Sequence, residues 1–167
     1  LSNAVNLTDG LDGLVAGCSS IIFCGLGTEI LLSNDQFISF SILCFSMAGL
    51  SLGFLKFNKY PAKIFMGDTG SLCIGTIIGL ICIFTNSFFT VFIMSGVFII
   101  ETLSVIIQVL FFKITKKLTG KGKRFFLMTP IHHHFELKGI PEKKIVDIFW
   151  KTNILLVILG IVLKMNF

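Results

Sequence analysis

Five apolar runs, several close to 20 residues without a formal charge, constrain this chain more than any other feature. A run of that length crosses a hydrocarbon core of roughly 30 Å as an α-helix. Lipid offers no hydrogen bonds to a backbone, so a spanning segment must be a helix or part of a closed barrel. The runs show no period-2 alternation, which selects helices. Composition agrees: 54% of the 167 residues are hydrophobic and only 14% are charged. The expected fold is all-α, a polytopic transmembrane helical bundle forming one membrane-embedded domain over residues 1–167. The spans are expected at about 11–32, 37–55, 71–84, 88–112 and 148–163. Residues 33–36 and 85–87 form the connections at one end.

Charge sets direction. Lys56, Lys59 and Lys63 follow the second span, and a basic stretch from Lys113 to Lys151 separates the fourth from the fifth. All but one of the 14 Lys and Arg fall on that side; Lys164 is the exception. The positive-inside rule makes this side cytoplasmic. The field serves topology and contact with anionic lipids, and it can draw in a polyanionic substrate. With no folded basic domain in view, nucleic acid is not an expected partner. The five cysteines are scattered through apolar runs without metal-ligand spacing, which reads as small buried hydrophobes and implies no disulfide.

Three polar motifs then meet at the basic end. In Asn3-Ala-Val-Asn6-Leu-Thr-Asp9-Gly-Leu-Asp12-Gly13, a spacing of three puts both carboxylates on one face if they share a helical turn. Gly10 and Gly13 leave room for close approach of backbone or ligand. The plainer alternative is acidic residues against a helix N-terminal dipole. In Asn58-Lys-Tyr-Pro-Ala-Lys-Ile-Phe65-Met-Gly67-Asp68-Thr-Gly70-Ser71, Asp68 lies between glycines at the mouth of the third span. It can reach a divalent cation or simply cap the helix. Phe65 is a membrane-edge anchor or a ring that stacks on a flat ligand.

The third motif is Pro130-Ile-His132-His133-His134-Phe-Glu136. Three adjacent histidines cannot all point one way, and adjacency is wrong for tetrahedral zinc. Phosphate contact or proton handling fits them better. Glu101 lies deep in the fourth span, on one helical face with Ser104 and Gln108. It reads as a functional carboxylate or as interhelical hydrogen bonding.

These three motifs, in this order and each beside its helix, closely resemble the polyprenyl-phosphate N-acetylhexosamine-1-phosphate transferase superfamily. The Pro-Ile-His-His-His-Phe-Glu form resembles its phospho-N-acetylmuramoyl-pentapeptide transferase branch. The resemblance implies transfer of phospho-N-acetylmuramoyl-pentapeptide from its UDP-activated form to undecaprenyl phosphate. The products would be lipid I and UMP, made with Mg²⁺ at the cytoplasmic face of the bacterial inner membrane. It further implies Asp68 as the Mg²⁺ aspartate and Asp9 and Asp12 as active-site carboxylates. Asn6 would belong to the nucleoside pocket, Phe65 would stack on uracil and Gln108 would hydrogen-bond it. His132 would serve catalysis and His133 would contact substrate. Members of the family have about twice this length, ten spans and an upstream Asp-Asp pair that this chain lacks. The chain is therefore expected to be the C-terminal half of such a protein and inactive alone. A sibling transferase using UDP-N-acetylglucosamine and a non-catalytic transporter are the competing readings. Oligomeric state stays open, a homodimer among the options.

Overall fold

The computed structural model describes residues 1–33 and 37–166; of the expected connection at 33–36, all but Ser33 lies outside the described residues. Among the described residues eight helices follow one another: α1 (Ser2–Thr8), α2 (Leu14–Ser33), α3 (Ile38–Asn58), α4 (Gly67–Thr85), α5 (Phe88–Met94), α6 (Gly96–Thr119), α7 (Ile131–Leu137) and α8 (Glu142–Asn166). No strand occurs among the described residues. Five of the helices, α2, α3, α4, α6 and α8, are long and apolar enough to span a membrane.

Helix α2 is the axis of the bundle. Its residues Leu14 to Ser20 are buried consecutively, which happens only when a helix is surrounded on every side. Helices α3 and α8 pack along it, while α1 packs on α4 and α6. Without a hydrophobic driving force between helices in lipid, tight association relies on small residues that let backbones approach. Gly17 is the clearest instance: a Cβ there would lie 2.1 Å from Nε1 of Trp150 on α8. The outer helices turn Leu, Ile and Phe outward, as lipid-facing surfaces do. Cys18, Cys44 and Cys82 are buried as expected, whereas Cys24 and Cys73 face outward; all five are free thiols.

The structure departs from the sequence expectation most clearly at three places. The fourth span is divided in two rather than one continuous helix. At Ser95 (φ −85°, ψ 11°) the chain leaves helical geometry between α5 and α6, although Ser95 N–H still reaches Val91 O at 2.9 Å and Ile99 N–H reaches Ser95 O at 3.0 Å. A Ser-Gly pair, here Ser95-Gly96, is a common site for a break in helix regularity. Helix α6 runs on past Phe112 to Thr119 and ends at Gly120 (φ 73°). Helix α8 starts at Glu142, before the expected Ile148. Both extensions carry lysines, so they continue as helix beyond the apolar stretch. In addition, α1 ends at Thr8, so Asp9 and Asp12 lie in a turn and share no helical face.

The two ends of the bundle are chemically different. At one, α2 begins, α3 finishes and α4 and α8 begin, bringing the three motifs together. At the other, Glu29 of α2 accepts from Ser87 Oγ at 3.3 Å and lies 4.0 Å from Lys164 Nζ. The solitary basic residue of the far side thus meets a buried carboxylate there. Replacing Gly17 by Val forces Trp150 away from α2. The unfolding midpoint in detergent should drop, equivalent to about 1–3 kcal/mol of overpacking cost; an unchanged midpoint would show that α8 does not rest on this contact.

Candidate active site

A cavity of about 300 Å³ opens at the end where the motifs meet, lined by Asn6, Asp9, Gly10, Leu11, Asp12, Asn58, Phe65, Gly67 and Asp68. It draws on the α1–α2 turn and the α3–α4 connection, two segments about 50 residues apart in sequence. Five of the eight residues singled out from the sequence line it: Asn6, Asp9, Asp12, Phe65 and Asp68.

Asp68 stands in the first turn of α4, where the helix dipole favours a carboxylate. It does not cap the helix; Met66 occupies that position and makes no side-chain cap bond. Asn6 Nδ2 donates to Asp68 Oδ1 at 2.9 Å and to Ser71 Oγ at 3.0 Å, which fixes α1 against the start of α4. Asp12 is held from two sides. Its Oδ2 accepts Ala62 N–H at 2.8 Å, and its own N–H donates to Glu142 Oε1 at 2.7 Å. Asn58 closes the floor: Oδ1 accepts Gly13 N–H at 3.1 Å and Nδ2 donates to Ile64 O at 2.9 Å. Phe65 is 78% exposed, an aromatic face open at the lip of an acidic cavity.

Sequence reasoning did not single out Asn58 or Glu142. Each acts by holding another loop across the fold, and no local pattern announces such a contact. The tightness around Gly10 is also of a different kind from the expected ligand approach, because a protein side chain, the ring of His132, occupies that space.

The histidines diverge, as adjacency requires. His132 is fully buried and faces Glu101, with Nδ1 3.1 Å from Oε1. His133 Nδ1 lies 2.6 Å from Glu136 Oε2 on the half-buried surface of α7. His134 Nδ1 accepts Leu127 N–H at 3.1 Å. None of the three lines the acidic cavity. Gln108 is elsewhere too. Its Oε1 accepts Phe125 and Phe126 N–H at 3.0 and 2.9 Å, and its Nε2 donates to Phe126 O at 3.1 Å. The amide oxygen is committed to the loop between α6 and α7, while Nε2 has a second N–H beyond the one given to Phe126 O. Ser104 Oγ bonds back to Glu101 O at 2.6 Å within its own helix, so the polar face of α6 is not one network.

Electrostatically the cavity is under tension. Burial, and the nearby charge of Asp68, push the Asp9 carboxyl above the ordinary carboxylate range, while Gly67 N–H bonding pulls it partly back. A raised folded-state value means the folded protein holds its proton more tightly than the unfolded chain. The associated stability is present at pH below the ordinary carboxylate range and is lost as pH rises through the raised value. In buffer with chelator, the unfolding midpoint should therefore fall across that window, and Asp9→Asn should flatten the fall. An equal pH slope in both proteins would contradict the arrangement.

The sequence model of glycosyl transferase family 4 matches residues 1–86, the segment that contains the whole acidic cavity. The phospho-N-acetylmuramoyl-pentapeptide-transferase of Prochlorococcus marinus (strain MIT 9301) is 73% identical over 167 residues, covering 99% of this chain and 47% of its own. The protein of that name from Prochlorococcus marinus (strain NATL2A) is 53% identical, covering 96% of this chain and 44% of its own. That from Synechococcus sp. (strain CC9311) is 50% identical, covering 99% and 45%. The chain spans about half the length of the curated relatives it matches. It is a multi-pass helical chain with an acidic cavity at its basic end, and it belongs to glycosyl transferase family 4.

Proposed function

We propose that this chain supplies the acidic part of an active site that moves phospho-N-acetylmuramoyl-pentapeptide from UDP to undecaprenyl phosphate, releasing UMP and forming lipid I. The observation that carries the reading is the gathering of Asp9, Asp12 and Asp68 in one cavity at the lysine-rich end of a membrane bundle. The names of relatives up to 73% identical supply the transferred group, phospho-N-acetylmuramoyl-pentapeptide, and the UDP-linked donor and undecaprenyl phosphate acceptor are what the resemblance of the motifs implies. The site would face the cytoplasm of a bacterial inner membrane, where the nucleotide donor is soluble and the lipid acceptor is held in the bilayer.

Such a phosphoryl transfer needs positioning and charge neutralisation more than covalent help from protein groups. The basic residues of the segments that meet at this end, Lys59 and Lys63 between α3 and α4 and Lys143 at the start of α8, raise the local concentration of a pyrophosphate donor. Phe65 presents an exposed face for the flat uracil ring. Asn6 keeps Asp68 oriented through its 2.9 Å bond.

The donor set fits Mg²⁺. Among the described residues no group of three or more His, Cys, Asp and Glu is placed to hold a metal. Mg²⁺ does not need one, because it is usually held by one or two carboxylates together with substrate phosphates and water. Asp68 would hold it, with Asp9 beside it; burial does most to raise the Asp9 carboxyl, and the smaller contribution from Asp68 repulsion would be relieved by a cation. When bound, Mg²⁺ supplies charge neutralisation for the pyrophosphate and for the departing oxygen.

In an enzyme of the relatives' full length, Asp68→Asn should reduce UMP release at least about 100-fold. Near-normal turnover would remove Asp68 from the reaction. Phe65→Ala should weaken the UDP-linked donor by about 1–3 kcal/mol, the usual cost of losing a base-stacking ring. Unchanged donor affinity would leave Phe65 as a membrane-edge side chain.

A further inference from the structure

We infer that Glu101 is a positioning residue: through His132 it holds the Gly10 backbone, and so sets where Asp9 and Asp12 stand relative to Asp68. The inference rests on the functional reading above.

Three distant pieces of sequence meet in this strut. Glu101 lies within α6, His132 at the start of α7 and Gly10 in the turn after α1. Glu101 and His132 are both fully buried. Glu101 meets His132 at two points: Oε1 lies 3.1 Å from the ring's Nδ1, and Oε2 accepts the His132 backbone N–H at 3.5 Å. The first is a close approach and not an aligned hydrogen bond, since neither Oε1 nor Nδ1 has a hydrogen-bond partner among the described residues. The ring's other edge abuts Gly10. A Cβ on Gly10 would lie 2.3 Å from Nε2 and 2.9 Å from Cε1. Nε2 likewise has no hydrogen-bond partner among the described residues, so the ring meets the turn by contact and shape.

That contact falls between the two carboxylates. Asp9 precedes Gly10, Asp12 follows it by two residues, and both line the acidic cavity. Asp12 is also tied to Ala62 and Glu142. The Asp9 carboxyl is bonded by Gly67 N–H, and its backbone is tied only locally, Asp9 N–H to Asn6 O at 3.1 Å and Gly10 N–H to Thr8 O at 2.8 Å; the Gly10 contact adds a support from a distant element. A buried carboxylate in a membrane span needs a partner and a reason to be there. The strut supplies both: Glu101 never reaches the cavity, yet the cavity's geometry leans on it.

Two substitutions approach the strut from opposite ends. Glu101→Gln keeps the shape and replaces one of the two carboxylate oxygens that face His132 with an amide nitrogen. Gly10→Ala puts a methyl group against the ring; Gly10 has no positive φ, so the methyl acts through that contact alone. Each is made in an enzyme of the relatives' full length and read by amide hydrogen exchange and by kinetics with the UDP-linked donor. Exchange at Gly10 and Gly13 should rise about tenfold or more, as expected when an outer support is lost. Exchange elsewhere in α6 and α8 should stay as in the unaltered enzyme. Turnover should fall about tenfold with donor KM changed less than about twofold, the pattern of a displaced reacting group with nucleotide binding intact. The double variant should be little worse than Gly10→Ala alone, because both act on one contact.

Exchange rising throughout α6 and α8 would make Glu101 a packing residue and overturn the inference. Unchanged loop exchange, or additive losses in the double variant, would do the same. If Glu101→Gln fails to accumulate, Gly10→Ala decides alone, and unaltered exchange and turnover in it would sink the strut. Turnover of the unaltered enzyme tests the functional reading separately, while the loop exchange reports on the strut whatever the donor.

Discussion

Everything in this fold follows from the absence of water around its spans. A backbone in hydrocarbon must satisfy its own hydrogen bonds, so the chain becomes helices, and polar chemistry is displaced to their ends. The bundle sorts its ends sharply. One carries nearly all the cations and the three polar motifs. The other carries the Glu29–Ser87–Lys164 contact. Helix α2 makes the arrangement compact. Small residues along it admit Trp150 and Val157 of α8 to near-backbone distance, and the turn that precedes it carries Asp9 and Asp12.

The spans were legible because a long apolar run has one meaning in this context. Their limits were less so. A helix that continues into water, as α6 does through Lys116 and α8 does from Glu142, sheds its apolar signal while keeping its backbone geometry. The break at Ser95 is likewise invisible to hydropathy, since residues on both sides of it are apolar. Only the Ser-Gly pair marks it.

The cavity was legible in outline. Charge asymmetry put the motif segments at one end, and Asn6, Asp9, Asp12, Phe65 and Asp68 do line one space. Its local geometry was not. A spacing of three suggested a helical turn for Asp9 and Asp12, but α1 stops at Thr8 and Gly13 takes φ 78°. The carboxylates reach the cavity through a turn braced by Asn58, Glu142 and Ala62. Glu101 stood out as an intramembrane carboxylate, and the histidine triplet stood out by itself. Nothing in either run indicated that Glu101 would bury itself against His132, 31 residues away. Pairing between separate elements is decided by tertiary packing, which periodicity does not encode. Gln108 illustrates the same limit, since its amide bonds to the backbone of a loop that the sequence left without structure.

The proposed service of the acidic cavity to one transfer reaction on a UDP-activated muramoyl-pentapeptide is tested most directly by UMP release from an enzyme of the relatives' full length, in membranes containing undecaprenyl phosphate, with two donors compared side by side. UMP should form from the UDP-linked muramoyl-pentapeptide, dependent on both the lipid acceptor and Mg²⁺, and little should form from UDP-N-acetylglucosamine. Preferential turnover of UDP-N-acetylglucosamine, or passage of a solute across the membrane with no UMP formed, would contradict it.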